Sequence, residues 1–318
     1  MTRRCGALAL AVLAAVVSGC ATSTAASITG STRPASTTGA FPVTIDAANG
    51  TVTVAARPTR VVSMSATATE MLYAVGAGPQ VAAVDRDSTY PSTAPRTGLD
   101  STSPNVEAIV ADHPDLVVVA GDTTGLTGSL AAFHVPVLSL PAAATLADVY
   151  HQFAEIGAAT GHPATAAAEA ASLRHRIAAI VASVPRPATH PTYYYELDQT
   201  LFSATSATFI GKVLGLLGLA NIADAVSTSA DAGYPQLSAE YIIRANPDYI
   251  FLADTKCCGQ NAATVAARPG WDQLAAVTHH HVVGLDDDIA SRWGPRIVLL
   301  LQTVADAINH RSSAGASP

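Results

Sequence analysis

Charge is scarce in this chain: 13% of its 318 residues are charged and 49% are hydrophobic, with a mean hydropathy of +0.30. That balance excludes a disordered polyelectrolyte and leaves enough apolar material for about two domain cores. Basic excess is also missing, since the formal charge is −7 and the sequence pI is near 5.7. Nucleic acids and anionic membrane surfaces are recognised through a basic face, so neither is expected as a partner. Lysine occurs only as Lys212 and Lys256, and cysteine only four times, too few for a disulfide scaffold. Catalytic signatures are absent: no GxGxxG follows a strand, and there is no phosphate-loop GxxxxGKS/T, no Gly-x-Ser-x-Gly elbow and no HExxH. The ten histidines are scattered, so an enzyme is not expected.

What is present begins with an address. Arg3 and Arg4 precede an apolar run from Ala7 to Val17, shorter than the roughly 20 residues of a membrane span, which suits a secretory signal over residues 1–19. The run ends in Val17-Ser18-Gly19-Cys20, which resembles the bacterial lipobox and implies that Cys20 is acylated as the first mature residue. Losing Arg3 and Arg4 would move the formal charge from −7 to −9. Residues 20–40 are rich in Ser, Thr, Ala and Gly, cannot build a core, and are expected to be a flexible tether.

From Phe41 the pattern is that of an α/β body. Phe41–Asp46 and Thr51–Val54 alternate around Asn49-Gly50, which predicts a β-hairpin. Arg60–Met64 reads as a buried strand, Glu70–Val75 as a helix stopped by Gly76, and Val81–Val84 as a second strand. Asn105–Ala120 aligns without gaps on Ser238–Ala253, each a capped short helix, a Pro-Asp turn and an apolar strand. Thr67–Val81 likewise matches Thr208–Ile222, the second copy following the apolar strand Tyr193–Tyr195. The duplication predicts two similar lobes, an N-terminal one over 41–161 and a C-terminal one over 188–310, with a disordered tail over 311–318. Between them Thr145–Ala159 reads as one helix and Pro163–Val184 as a second. The second falls within a 162–187 connector, and its ~22 residues at about 1.5 Å each reach roughly 33 Å, enough to cross both lobes.

Taken in order, the hairpin, Arg57-Pro-Thr-Arg-Val-Val62, Tyr90-Pro91, the paired Pro114-Asp115 and Pro247-Asp248, the long helix and Asp288-Ile-Ala-Ser-Arg-Trp-Gly-Pro-Arg296 resemble the substrate-binding proteins of ABC importers for iron-siderophores, haem or cobalamin. The resemblance implies two Rossmann-like lobes joined by a single long helix, with the ligand in the cleft between them. It implies Thr67, Tyr90, Glu196, Phe202, Tyr234, Asp288 and Arg292 as ligand-binding residues, and Glu107 and Glu240 as carboxylates that dock on permease arginines. Tyrosine and phenylalanine faces suit flat complexes, and tyrosines leave haem open through axial ligation. With Arg292 as the main nearby cation, the set lacks the arginine cluster wanted by a strongly anionic ferric complex, which favours a neutral or cationic one such as a hydroxamate siderophore or a corrinoid.

The implied partners are the metal-chelate ligand, an ABC permease with its ATPase, and the membrane through the lipid anchor; the protein is expected as a monomer at the extracytoplasmic face of the cell membrane, with no resident cofactor. Cys257 and Cys258 are left as neighbours that could close a strained disulfide, bind a soft metal or remain inert thiols. Asp286–Asp288 and His279–His281 are consecutive runs whose side chains diverge, and neither is expected to wrap an ion. Two other readings are a receptor for bare Zn²⁺ or Mn²⁺ on the same fold, which would need cleft histidines, and a surface lipoprotein without a transport role.

Overall fold

Two Pro-Asp turns at matching places in the chain start the two sheets. In the computed structural model, which describes residues 40–122, 125–185 and 190–314, the Asp115 carboxylate accepts hydrogen bonds from the backbone N–H of Thr59 at 2.7 Å and of Arg60 at 3.0 Å. Asp248 does the same for Thr192 at 2.9 Å. Each aspartate thereby fixes where a neighbouring strand begins, and the repeat legible in the sequence becomes a repeated sheet. The secretory segment, Cys20 and nearly all of the tether lie outside the described residues.

The hairpin forms from β1 (Val43–Ala47) and β2 (Gly50–Val54). Its tip sits one residue earlier than expected, because Ala47 pairs with Gly50. Gly50 takes φ +99°, a conformation that favours glycine, and the freed Asn49 amide donates to the Val137 carbonyl at 2.9 Å.

The first sheet is all parallel. It contains β3 (Val61–Met64), β4 (Val81–Val84), β5 (Leu116–Val119) and β6 (Val137–Ser139) in the order β4-β3-β5-β6, with α1 (Ala66–Ala74), α2 (Val106–Ala111) and α3 (Leu126–Ala131) between strands. Next come α4 (Leu146–Thr160), closed at Thr145 by a capping box and at Gly161 by a left-handed residue, and α5 (Pro163–Ser183), which has Pro163 in its first turn. The long helix is therefore shorter than the 162–187 connector: Val184, preceding Pro185, is already extended, as a residue before proline prefers.

The second sheet repeats the first. Strands β7 (Thr192–Glu196), β8 (Ala220–Asn221), β9 (Tyr249–Leu252) and β10 (Val282–Gly284) lie in the order β8-β7-β9-β10, again all parallel. Helices α6 (Phe209–Gly215) and α7 (Ala239–Ala245) match α1 and α2, and the short α8 (Thr255–Cys258), α9 (Ala262–Ala266), α10 (Ala275–Thr278) and α11 (Asp287–Ala290) complete this half. Finally α12 (Ile297–Ala314) packs against α5. The first four residues of the expected tail are thus helical, because each added helical residue gains a hydrogen bond and no glycine or proline intervenes before Gly315.

Burial follows strand parity. Val61, Leu116 and Val118 of the first sheet, and Tyr193, Tyr195, Tyr249 and Phe251 of the second, share one core with α4, α5 and α12. Alternate residues make a separate core on the far side of each sheet, around Val62, Val117 and Ile109 in one and Tyr194, Ile250 and Trp271 in the other. Sheets buried on both faces leave the ends of their strands for a ligand. Among the described residues no helix is long and apolar enough to cross a membrane.

Candidate functional site

Open α/β sheets bind ligands beyond the carboxyl ends of their strands. There the structure has two adjoining cavities. The larger, of about 490 Å³, is walled by Met64–Thr67 after β3, Asp85 after β4, Val119–Gly121 after β5, and the segment bearing Asp288 and Arg292. The smaller, of about 270 Å³, is walled by Tyr195 and Leu197 of the β7 end, Phe209 and Ile210 of α6, and Tyr234. Ser291, Arg292 and Trp293 line both, so the two cavities meet on one short segment between α11 and α12.

That segment is held by buried charge. Arg292 Nη1 donates to Glu70 Oε1 at 2.9 Å, and Arg296 donates through Nε at 2.9 Å and Nη2 at 2.5 Å to the same carboxylate. The Glu70 side chain is fully buried on α1, so a charge of the N-terminal lobe fixes a segment reached only after the C-terminal one. Gly294 lies so close that a Cβ there would stand 3.3 Å from Glu70 Oε2. Trp293 is oriented by donation from its Nε1 to Gln152 Oε1 at 2.9 Å.

Four of the seven expected ligand residues meet at these cavities: Thr67, Asp288 and Arg292 in the larger, and Tyr234 in the smaller, with Arg292 common to both. Tyr234 is 49% exposed and presents a free aromatic face. The other three are placed elsewhere. Tyr90 lines a separate groove with Tyr73, Arg176 and Leu299, its ring 4.4 Å from the Arg296 guanidinium, whose charge it attracts. Phe202 lines neither cavity, because the loop after β7 folds back through a hydrogen bond from Leu197 N–H to the Phe202 carbonyl and presents Leu197 instead.

Glu196 is the third correction. It is fully buried and both its oxygens accept from Arg268 at 2.6 Å, since a buried carboxylate needs a counter-charge more than a ligand. Beside it Asp254 is also fully buried. Burial first, and the Glu196 charge second, raise the Asp254 carboxyl to about 7. Between pH ~4 and ~7 the folded chain thus holds a proton that the unfolded chain releases, and stability falls as pH rises through that window. Asp254→Asn is expected to remove this slope and raise stability at pH 8 by about 1–2 kcal/mol, measured by denaturant unfolding at several pH values; an unchanged slope would contradict the assignment.

Cys257 and Cys258 are free, exposed thiols on the short α8, so the disulfide is not formed. Adjacent Cα atoms are about 3.8 Å apart, below the usual 4.4–6.8 Å of a disulfide. The aspartate run diverges: Asp286 caps α11 and pairs with Lys256 at 2.8 Å, Asp287 accepts N–H bonds from Thr255, Lys256 and Cys257, and Asp288 turns toward Arg292 at 3.0 Å. Burial pushes the Asp287 carboxyl up, but the hydrogen bonds of α8 outweigh it and hold it low. Among the described residues no three His, Cys, Asp or Glu side chains gather as a metal site.

Glu107 and Glu240 are exposed in the first turns of α2 and α7, matching positions of the two sheets. Hydrogen bonds from its own backbone and from Ser238 hold the Glu240 carboxyl below its ordinary value. The sequence reading missed Asp85, Asp87, Phe209 and Trp293 on the cavity walls. Asp85 was within reach, because it directly follows a strand recognised from its apolar run, at the edge where such folds bind ligands.

Comparison with known proteins agrees with this geometry. A family model described as periplasmic binding protein matches residues 61–289. The chain is 29% identical over 279 residues to an uncharacterized ABC transporter substrate-binding lipoprotein, YvrC, of Bacillus subtilis, covering 84% of this chain and 86% of that one. It is 31% identical over 279 residues to a cobalamin-binding protein of Halobacterium salinarum, covering 85% and 75%. Its fold is similar, with a TM-score of 0.69 and 26% identity, to the crystal structure of a possible iron-binding (periplasmic solute-binding) protein from Staphylococcus epidermidis, covering 80% of this chain and 99% of that one.

Proposed function

Because the chain belongs to the periplasmic binding protein family, we propose that it captures a metal chelate of the ferric siderophore or corrinoid type and delivers it to an ABC permease. The observation that carries this reading is the pair of cavities at the strand ends of both sheets, joined at Ser291–Trp293 and furnished with Tyr234 and Trp293 as aromatic faces. Their volumes, about 490 and 270 Å³, sum to the room a drug-sized or larger ligand occupies rather than that of a bare ion. No step of bond making is involved; capture, retention and release are the whole task, so the protein acts as a receptor and not as a catalyst.

Cys20 is its lipid anchor, supported by the Val17–Cys20 motif and by the lipoprotein relative in Bacillus subtilis. The anchor and the tether keep a monomeric body at the extracytoplasmic face of the membrane. Glu107 and Glu240 meet basic groups of the permease, a role supported by their exposure at matching positions of the two lobes.

The test is a fluorescence titration of the full chain in detergent with ferric hydroxamate, ferric catecholate, ferric citrate, haem, cyanocobalamin, Zn²⁺ and Mn²⁺. Saturable sub-micromolar quenching by one chelate is expected, weakened about tenfold or more in Tyr234→Ala, whose aromatic face is the most exposed in the cleft. Binding to bare Zn²⁺ or Mn²⁺ alone would contradict the reading.

A further inference from the structure

Two side chains with chemistry of their own, Cys257 and Cys258, sit on a turn bonded to the helix that leads into the segment both cavities share. Both are exposed, so a thiol reagent reaches them without unfolding the chain. The Cys258 thiol is the hydrogen-bond partner of Cys257 and, ahead of burial and the Asp287 charge, pushes the Cys257 thiol up to about 12. The two sulfurs are neighbours, and Cys257 keeps its proton at neutral pH.

The turn that carries them is the anchor of α11. Backbone N–H groups of Thr255, Lys256 and Cys257 donate to the Asp287 carboxylate, each at 2.9 Å, and the Thr255 hydroxyl joins them at 2.7 Å. Lys256 Nζ reaches Asp286 at 2.8 Å and Asp288 at 3.2 Å. On the other side Ser291 Oγ donates to the Asp287 carbonyl at 2.7 Å, and Asp288 accepts from Arg292 at 3.0 Å. Asp288 lines the larger cavity, while Ser291 and Arg292 line both. Direct hydrogen bonds thus run from the backbone of Cys257 to the common wall of the cleft.

This turn and a bond between the two sulfurs exclude each other. Successive side chains of a helix diverge by about 100°. Closing a ring through adjacent residues therefore takes the backbone of Cys257 and Cys258 out of helical dihedrals, and the Cys257 N–H then no longer points at Asp287. We propose that Cys257 and Cys258 form a thiol-modification site, through which a low-molecular-weight disulfide weakens capture in the cleft. The Cys258 sulfur, giving up its proton, attacks one sulfur of the reagent, forming a mixed disulfide and expelling one thiol. The Cys257 sulfur then releases its proton to water and displaces the second thiol as the Cys257–Cys258 bond closes. The chain loses two electrons and two protons, and the reagent is reduced to two thiols. Asp287 loses a donor, α11 loosens, and the wall that Asp288 and Ser291 belong to goes with it. The effect on affinity rests on the chelate reading above; the modification and the release of Asp287 do not.

The experiment treats the full chain in detergent with cystamine, removes the excess, and compares it with chain kept under a phosphine reductant. Peptide mass is expected to show loss of two hydrogens across Cys257 and Cys258 with no cystamine mass retained. Amide hydrogen exchange at Thr255, Lys256 and Cys257 is expected to speed up. Affinity for whichever of ferric hydroxamate, haem or cyanocobalamin binds the reduced chain is expected to fall about fivefold or more, and to return on reduction. The Cys257→Ser, Cys258→Ser double variant should bind like the reduced chain and ignore cystamine. A mixed disulfide that persists, or a closed ring with unchanged exchange and unchanged affinity, would overturn this inference and leave the chelate reading standing. If no chelate binds the reduced chain the chelate reading fails, and mass and exchange still decide whether the ring closes and frees Asp287.

Discussion

Replacing Glu70 by alanine is expected to cost the fold about 3–5 kcal/mol, the range measured when one member of a buried ion pair is removed. Its carboxylate is the shared counter-charge of Arg292 and Arg296, whose side chains are 9% and 15% exposed. Two guanidinium groups would then stay in a low-dielectric site, Arg292 keeping its ion pair with Asp288 and Arg296 losing its only direct one among the described residues. Against a net stability of about 5–15 kcal/mol the loss is severe. The segment it holds is the shared wall of both cavities, so ligand affinity should fall along with the urea midpoint. Arg296→Ala removes one donor and leaves Glu70 paired with Arg292, and a smaller loss is expected. Equal, small effects of both substitutions on the midpoint would show that the triad does not hold the cleft together.

Uptake by cells is expected to drop tenfold or more in the Glu107→Ala, Glu240→Ala double variant while chelate affinity in solution stays within about twofold. Both carboxylates are exposed, line neither cavity, and stand in the first turns of their own helices. Meeting a permease guanidinium, each would gain a charge-assisted hydrogen bond, hence the tenfold scale. Rim charges act first on encounter, so the gap between the wild type and the double variant should narrow as ionic strength rises. Normal uptake by the double variant would remove docking from these two residues.

Local signals carried most of the fold into the sequence. Asn105 and Ser238 cap their helices by accepting the N–H three residues on, a Pro-Asp turn follows each helix, and the apolar runs after it are buried on both faces. All of this is written within some 16 consecutive residues, and it was read twice because the chain repeats it. The sites were less legible, because each depends on a partner remote in sequence. Glu196 stands at a strand end where a ligand residue is expected, yet Arg268 lies 72 positions away and claims it. Tyr90 is drawn to Arg296, and Phe202 is excluded by one backbone hydrogen bond across its own loop. Arg292 was recognised as a cleft cation, but its service to Glu70, 222 positions earlier, emerges only once the two lobes are brought together. The short helices α8 to α11 have no periodicity to read, as four or five residues make barely one turn.

The most direct measurement is anomalous scattering from crystals of the protein grown with the chelate that quenches its fluorescence most tightly. A single metal peak beside Ser291–Trp293, within contact of Tyr234 on one side and the Asp85 wall on the other, is expected. A peak in the Tyr90–Leu299 groove, or at Cys257 and Cys258, would contradict capture of the chelate between the lobes.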